Sequence, residues 1–153
     1  MFNTEEYEPG VVYTDIMRDA ILTKYSLIRY YYTQLFSLST LGGSPFYKPL
    51  FFEFPNDINA FNSIKYNVML GDSLKLSILS DKIGQNSTDF YFPAGTWCNM
   101  LNTTERCFDS KGENRTLRTK AYDAYVHIRE GKIVPLQDAK KLNTIATLTS
   151  KAL

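Results

Sequence analysis

The chain has 153 residues, 44% of them hydrophobic and 14% aromatic, and a net charge of +1. That is enough material for a folded core of one domain's size, and it excludes the disordered class. Acidic and basic residues are interspersed, with no basic block to track a phosphate backbone and no apolar run long enough to span a membrane, so neither nucleic acid nor a bilayer is an expected partner.

The first residues, Met1 to Tyr7, include Glu5 and Glu6 and lack the apolar centre of a signal peptide. Residues 15 to 41 read as one long helix. Ile21, Tyr25, Ile28, Tyr32, Leu35 and Phe36 recur on one face at helical spacing, and Asp19, Ser26, Tyr30 and Gln34 lie opposite. Leu22, Leu27 and Tyr31 widen the apolar arc, as in a helix packed on more than one side. Asp15 or Thr14 can cap its start, and Gly42-Gly43 stops it.

Leu50 to Phe54 then reads as a strand, nearly all apolar, with Glu53 inside it and a proline on each side at Pro49 and Pro55. A helix followed by such a strand is the rhythm of an α/β unit with a buried parallel sheet. One helix and one strand cannot cover both faces of a sheet, so the segment is expected to be a piece of something larger. Asp57 to Tyr66 suggests a short helix or irregular turn. From Gly71 onward the signals are β. Leu74 to Leu79 alternates as a half-buried strand, Asp89 to Phe92 is another, and Thr116 to Thr119, Ala124 to Arg129 and Lys132 to Leu136 offer more. Glu130-Gly131 is a turn between the last two. The organisation changes near residue 70.

Cys98 and Cys107, nine residues apart, can close a short loop by a disulfide, and with His127 as the sole histidine they are too few for a zinc site. Three N-glycosylation sequons begin at Asn86, Asn102 and Asn114, all in turn-like stretches where a glycan can stand in solvent. Sequons and cysteine pair together point to the secretory pathway.

Catalytic chemistry is thin. Glycoside hydrolysis needs two carboxylates flanking the bond. Glu53 is the tempting one, but an acid among large apolar residues reads better as a buried carboxylate held by an arginine or by backbone donors from strands outside the chain. Asp57 sits just past the strand end and Asp72 follows Gly71; both suit ordinary turn chemistry. His127 lies in an alternating strand and reads as structural. Trp97 reads as a core residue behind the Pro93-Ala94-Gly95 turn rather than a sugar platform. There is no triad arrangement and no phosphate loop.

Five motifs, in order, resemble glycoside hydrolase family 31, the α-glucosidase type. Lys24 to Leu35 (KYSLIRYYYTQL) stands where that family carries R-Y-x-L-L-P-Y-L-Y-T-L. Lys48 to Pro55 (KPLFFEFP) matches R-P-L-F-F-E-F-P, and Leu70 to Leu79 loosely matches L-G-x-x-L-L-x-x-P-V. Tyr91 to Trp97 (YFPAGTW) fits Y-F-P-x-G-x-W, and His127 to Gln137 (HIREGKIVPLQ) fits H-V-R-x-G-x-I-x-P-L-Q. The chain departs at Lys48, where arginine is usual, at Lys75, which interrupts an apolar strand, and at Ile78-Leu79, where Pro-Val is common.

The resemblance implies an α+β fragment: residues 1–70 as the last helix and strand of a (β/α)₈ TIM barrel, and residues 71–153 as part of an antiparallel β-sandwich. It implies a retaining α-glucosidase parent that hydrolyses terminal α-linked glucose. The family's nucleophile motif, W-x-D-M-N-E, does not occur here, so no catalytic residue carries over and the chain alone is expected to be inactive. No cofactor or metal is implied. The expected partners are an α-glucoside or oligosaccharide for the parent and the rest of the barrel in cis. The expected location is lysosomal or extracellular. The alternative is a non-catalytic module that binds carbohydrate or a partner subunit through Trp97 or exposed tyrosines.

Overall fold

The computed structural model describes residues 12–43, 45–78, 87–102, 104–105, 107–118 and 124–139. The acidic start, Leu79, Asn86 and Thr119 lie outside them. The chain divides into two compact units, residues 1–30 with 135–153, and residues 31–134.

In the first unit, helix α1 runs Tyr13–Ser26. Its start has no side-chain cap; Asp15 instead bonds Arg18 one turn on, at 2.6 Å. The expected single helix is broken at Leu27, whose N–H reaches back only three residues to Lys24, and α2 then runs Ile28–Leu41, its residues from Tyr31 onward belonging to the second unit. The break shifts the helical phase. Leu27 and Tyr30 are buried, whereas Ile21, Tyr32, Leu35 and Phe36 of the expected core face are half exposed or more. The C-terminal stretch joins α1 through Gln137, whose N–H donates to the Ser26 carbonyl at 3.1 Å. Gln137 Oε1 accepts from Arg29 Nε at 2.8 Å. As expected, the helical stretch ends at Gly42, whose φ of +70° a side chain would resist.

The second unit is antiparallel throughout its described pairs, not a parallel sheet. β1 (Tyr47–Lys48), β2 (Asn67–Leu70), β3 (Leu74–Ile78), β5 (Gly95–Asn99), β6 (Phe108–Ser110) and β8 (Ala124–Arg129) form one sheet in the order β1-β2-β3-β8-β5-β6. β4 (Ser87–Phe92) and β7 (Glu113–Arg118) form a separate two-stranded ribbon. β2 and β3 pair across the turn at Gly71, so paired strands run over residue 70. The expected strand at Lys132–Leu136 does not form.

The expected strand at Leu50–Phe54 is a 3-10 turn, Leu50–Phe52. Pro49, which has no N–H, opens it, and the backbone then satisfies itself locally. Phe52 N–H donates to Pro49, and Glu53 and Phe54 N–H both donate to Leu50. The apolar side chains therefore radiate around a turn. Leu50 enters the core, while Phe51 stacks on Phe61 of α3 (Ile58–Asn62) at 4.7 Å.

The core joins the two sheets. Met69 and Trp97 from the large sheet meet Phe90, Phe92 and Leu117 from the ribbon. The face of β3 that enters this core is its polar one, while Leu74 is buried on the other face. Lys75 and Ser77 face the aromatic core and are fully buried, and Ile78 is exposed. An alternating strand shows its two faces but not which one is covered.

Candidate functional site

A cleft of about 510 Å³ opens beside the 3-10 turn, lined among others by Glu53, Phe54, Asp57, Asn59, Tyr91 and Lys111. Its two carboxylates are both engaged. Glu53 Oε1 accepts from Lys48 Nζ at 2.5 Å, and Arg129 Nη1 lies 3.8 Å from Oε2. The Arg129 guanidinium also stacks over the Phe54 ring at 4.5 Å. The partners expected from strands outside the chain are thus supplied by β1 and β8 of the chain itself. Lys48, which stands where arginine was expected, fills the cation's role.

Asp57 caps α3. One carboxylate oxygen accepts from Asn59 N–H at 3.0 Å, and the other accepts from the Tyr91 hydroxyl at 2.5 Å. Burial, reinforced by the Asp57 carboxylate, pushes the Tyr91 phenol well above its ordinary range, so Tyr91 is a fixed neutral donor. Asp72 lies apart from the cleft, between Ser73 and Lys132, and accepts from Lys132 Nζ at 2.7 Å. Its carboxyl titrates below the ordinary value, as burial is outweighed by bonds from Lys132 and Ser73.

The motif Tyr91–Trp97 has a physical account. Trp97 is fully buried, and its Nε1–H donates to the Pro93 carbonyl at 2.9 Å. It offers no face to a sugar. Gly95 has a φ of +134°, and a Cβ there would lie 3.0 Å from Glu130 Oε1, so glycine alone fits. His127 is also sealed. Its ring packs edge-on against Phe92 at 4.9 Å, and neither ring nitrogen has a hydrogen-bond partner among the described residues. Burial, then the Lys75 and Arg115 charges, push it down to about 3, so it is neutral and out of reach as a base.

Cys98 and Cys107 are joined by a disulfide. Asn99 braces the loop it closes: its Oδ1 accepts from Leu101 and Asn102 N–H, and its Nδ2 donates to Glu105 at 2.7 Å. Asn102 and Asn114 both carry exposed side chains, the first in this loop and the second on β7. Among the described residues no group of His, Cys, Asp and Glu is placed to hold a metal ion, and no helix is long and apolar enough to cross a membrane.

Sequence reading found Glu53, Asp57, His127 and Trp97 singly. It did not bring Lys48 and Arg129 to Glu53, or Tyr91 to Asp57. The available signal lay in the motifs themselves, since two of them supply the Glu53 cluster and a third supplies Tyr91.

The model of the glycosyl hydrolase family 31 C-terminal domain matches residues 43–134. The chain belongs to glycosyl hydrolase family 31. The mouse lysosomal α-glucosidase is 31% identical over 149 residues, and the barley α-glucosidase 29% identical over 133. Each alignment covers 87% of this chain and 15% of the relative. Among family 31 structures, a Flavobacterium johnsoniae dextranase aligns with a TM-score of 0.72 at 25% identity, over 80% of this chain and 14% of its own. The glucosidase II α subunit shares the fold at a TM-score of 0.78 and 23% identity, over 91% of this chain and 15% of its own. The chain therefore spans about one seventh of the length of the relatives it matches.

Proposed function

We propose that this chain is the C-terminal scaffold portion of a retaining α-glucosidase that hydrolyses terminal α-linked glucose, and that it supplies no catalytic carboxylate of its own. The family match over residues 43–134 carries the reading. The state of the cleft supports the second part, because Glu53 is neutralised by two cations and Asp57 is spent on a helix cap and on Tyr91. A glycosidase pair needs one carboxyl free to donate a proton and another free to attack or activate water. The helices up to Leu41 then suit the end of a (β/α)₈ barrel, and the two sheets sharing one core suit the start of a β-sandwich, whose first strands β1 and β2 already lie within residues 1–70. The half-exposed Ile21, Tyr32, Leu35 and Phe36 suit a helix covered by the remainder of the barrel. The disulfide and the exposed Asn102 and Asn114 fit a secreted or lysosomal parent.

The test is turnover of a chromogenic α-glucoside by the purified chain. No turnover above buffer is expected. Turnover that disappears in Glu53→Gln or Asp57→Asn overturns the scaffold reading.

A further inference from the structure

Two more polar cavities, of about 410 and 270 Å³, lie between α3 and the β4–β7 ribbon, and they share Asn62, Ser63, Tyr91 and Asn114. The larger is of a size that takes a small organic ligand, roughly 300–1,000 Å³. The smaller cavity is also lined by Asn67, which is only 6% exposed. Its Nδ2 donates to the Ser63 carbonyl at 2.9 Å, but its sealed Oδ1 has no partner among the described residues. A buried acceptor left unmatched costs free energy, and a site that retains one is suited to a donor from a ligand.

Asn114 is itself a wall of both cavities, exposed on β7 and in register with Tyr91. It is also the first residue of the sequon Asn114-Arg115-Thr116. We propose that the groove between α3 and the β4–β7 ribbon seats the first N-acetylated sugars of a glycan carried on Asn114. The lining suits a neutral polyol. Asparagine amides and the Ser63 hydroxyl each donate and accept, as sugar hydroxyls and an acetamido group do, and the acetamido N–H is a donor that Asn67 Oδ1 can take. Asp89 and Glu113 are set against Lys65 in the lining, so the groove carries no strong charge of either sign. The covalent tether makes seating intramolecular, so a few hydrogen bonds suffice. The inference rests on the secretory-pathway reading for the supply of the glycan.

The experiment uses the whole chain secreted from a eukaryotic host that adds high-mannose glycans. Mass analysis locates the glycans, and an endoglycosidase that cuts between the first two sugars is then timed on folded and denatured protein. Seating through two hydrogen bonds slows cleavage at Asn114 about tenfold in the folded chain relative to the denatured one. Asn62→Trp fills the groove from an exposed position and brings the two rates within about twofold of each other. Asn67→Leu, which deletes the buried acceptor, gives the same relief. A glycan on Asn114 that is cut equally fast in both states overturns the seat and leaves the secretory reading standing. Slow cleavage that neither variant relieves also overturns it, as crowding without seating. Absence of any glycan on Asn114 removes the proposal and its premise together.

Discussion

Two lysines of the second unit are buried almost equally and live in opposite surroundings. Lys48 meets a carboxylate, Glu53, which Arg129 also approaches. Lys75 meets the Ser77 hydroxyl at 2.5 Å and the Phe92 ring at 3.9 Å, with His127 across the strand pair. Burial pushes the Lys75 amine well below the ordinary lysine range. The same side chain is an ion-pair anchor in one place and a reluctant base in the other. What differs is a carboxylate within reach, not depth.

Breaking the first arrangement has the largest expected effect. Glu53→Leu strips Lys48 of its carboxylate and destabilises the chain by about 3 kcal/mol, the lower part of the range for a broken buried pair because Glu53 keeps some solvent contact. The double variant Lys48→Met/Glu53→Leu recovers most of that loss. Urea midpoints at constant slope read both, and a double variant no better than the single one would refute the pairing account.

Next in size is the acid response of the second arrangement. His127 titrates near 3 in the folded chain and near 6.5 when unfolded. The unfolded chain therefore takes the proton first as pH falls. The stability is complete above pH 6.5 and declines towards pH 3, at about 1.4 kcal/mol per pH unit. A fall of about 2–3 kcal/mol is expected between pH 6.5 and 4.5, and His127→Leu flattens it. An unchanged slope in that variant, followed by urea unfolding across the series, means the histidine is not the sensor.

Lys75→Met stabilises the chain by about 1–2 kcal/mol at pH 7, since it removes an amine that burial disfavours in its charged form. Lys75 in the folded chain binds its proton less readily than when unfolded, so this gain shrinks as pH rises towards 10.5. Thermal melts at pH 7 and pH 10 check both the sign and the trend. The smallest effect is that of Ser77→Ala, a loss of about 1 kcal/mol from the hydrogen bond to Lys75.

How much of this was legible in the chain depends on whether a residue's role is local. The stop at Gly42, the short helix at Ile58, β8 at its full extent and the core position of Trp97 followed from local pattern. The turn at Leu50–Phe52 did not, because a run of apolar residues reads the same whether it pairs with a strand or coils on itself behind Pro49. The break at Leu27 gave no sign in a helix-forming stretch with no Gly or Pro. The burial of Lys75 and Ser77 was not legible for a different reason: period-two alternation is blind to which face the β4–β7 aromatics cover. At the cleft, the acids were visible one by one. Their partners lie 34 residues away for Asp57 and Tyr91, and pairing at that distance is fixed by the sheet rather than by spacing.

The position of β8 in the sheet order matters for how the molecule is made. It lies between β3 and β5, yet it is the last strand among the described residues. Until residue 129 has been synthesised, the large sheet is two separate pieces, each with a bare edge where β8 belongs. Those edges are templates for pairing with another nascent copy, and long-range closure is slow. A stop codon a few residues before Ala124 would leave the sheet split along this seam, so such a product is expected to aggregate rather than merely unfold more easily.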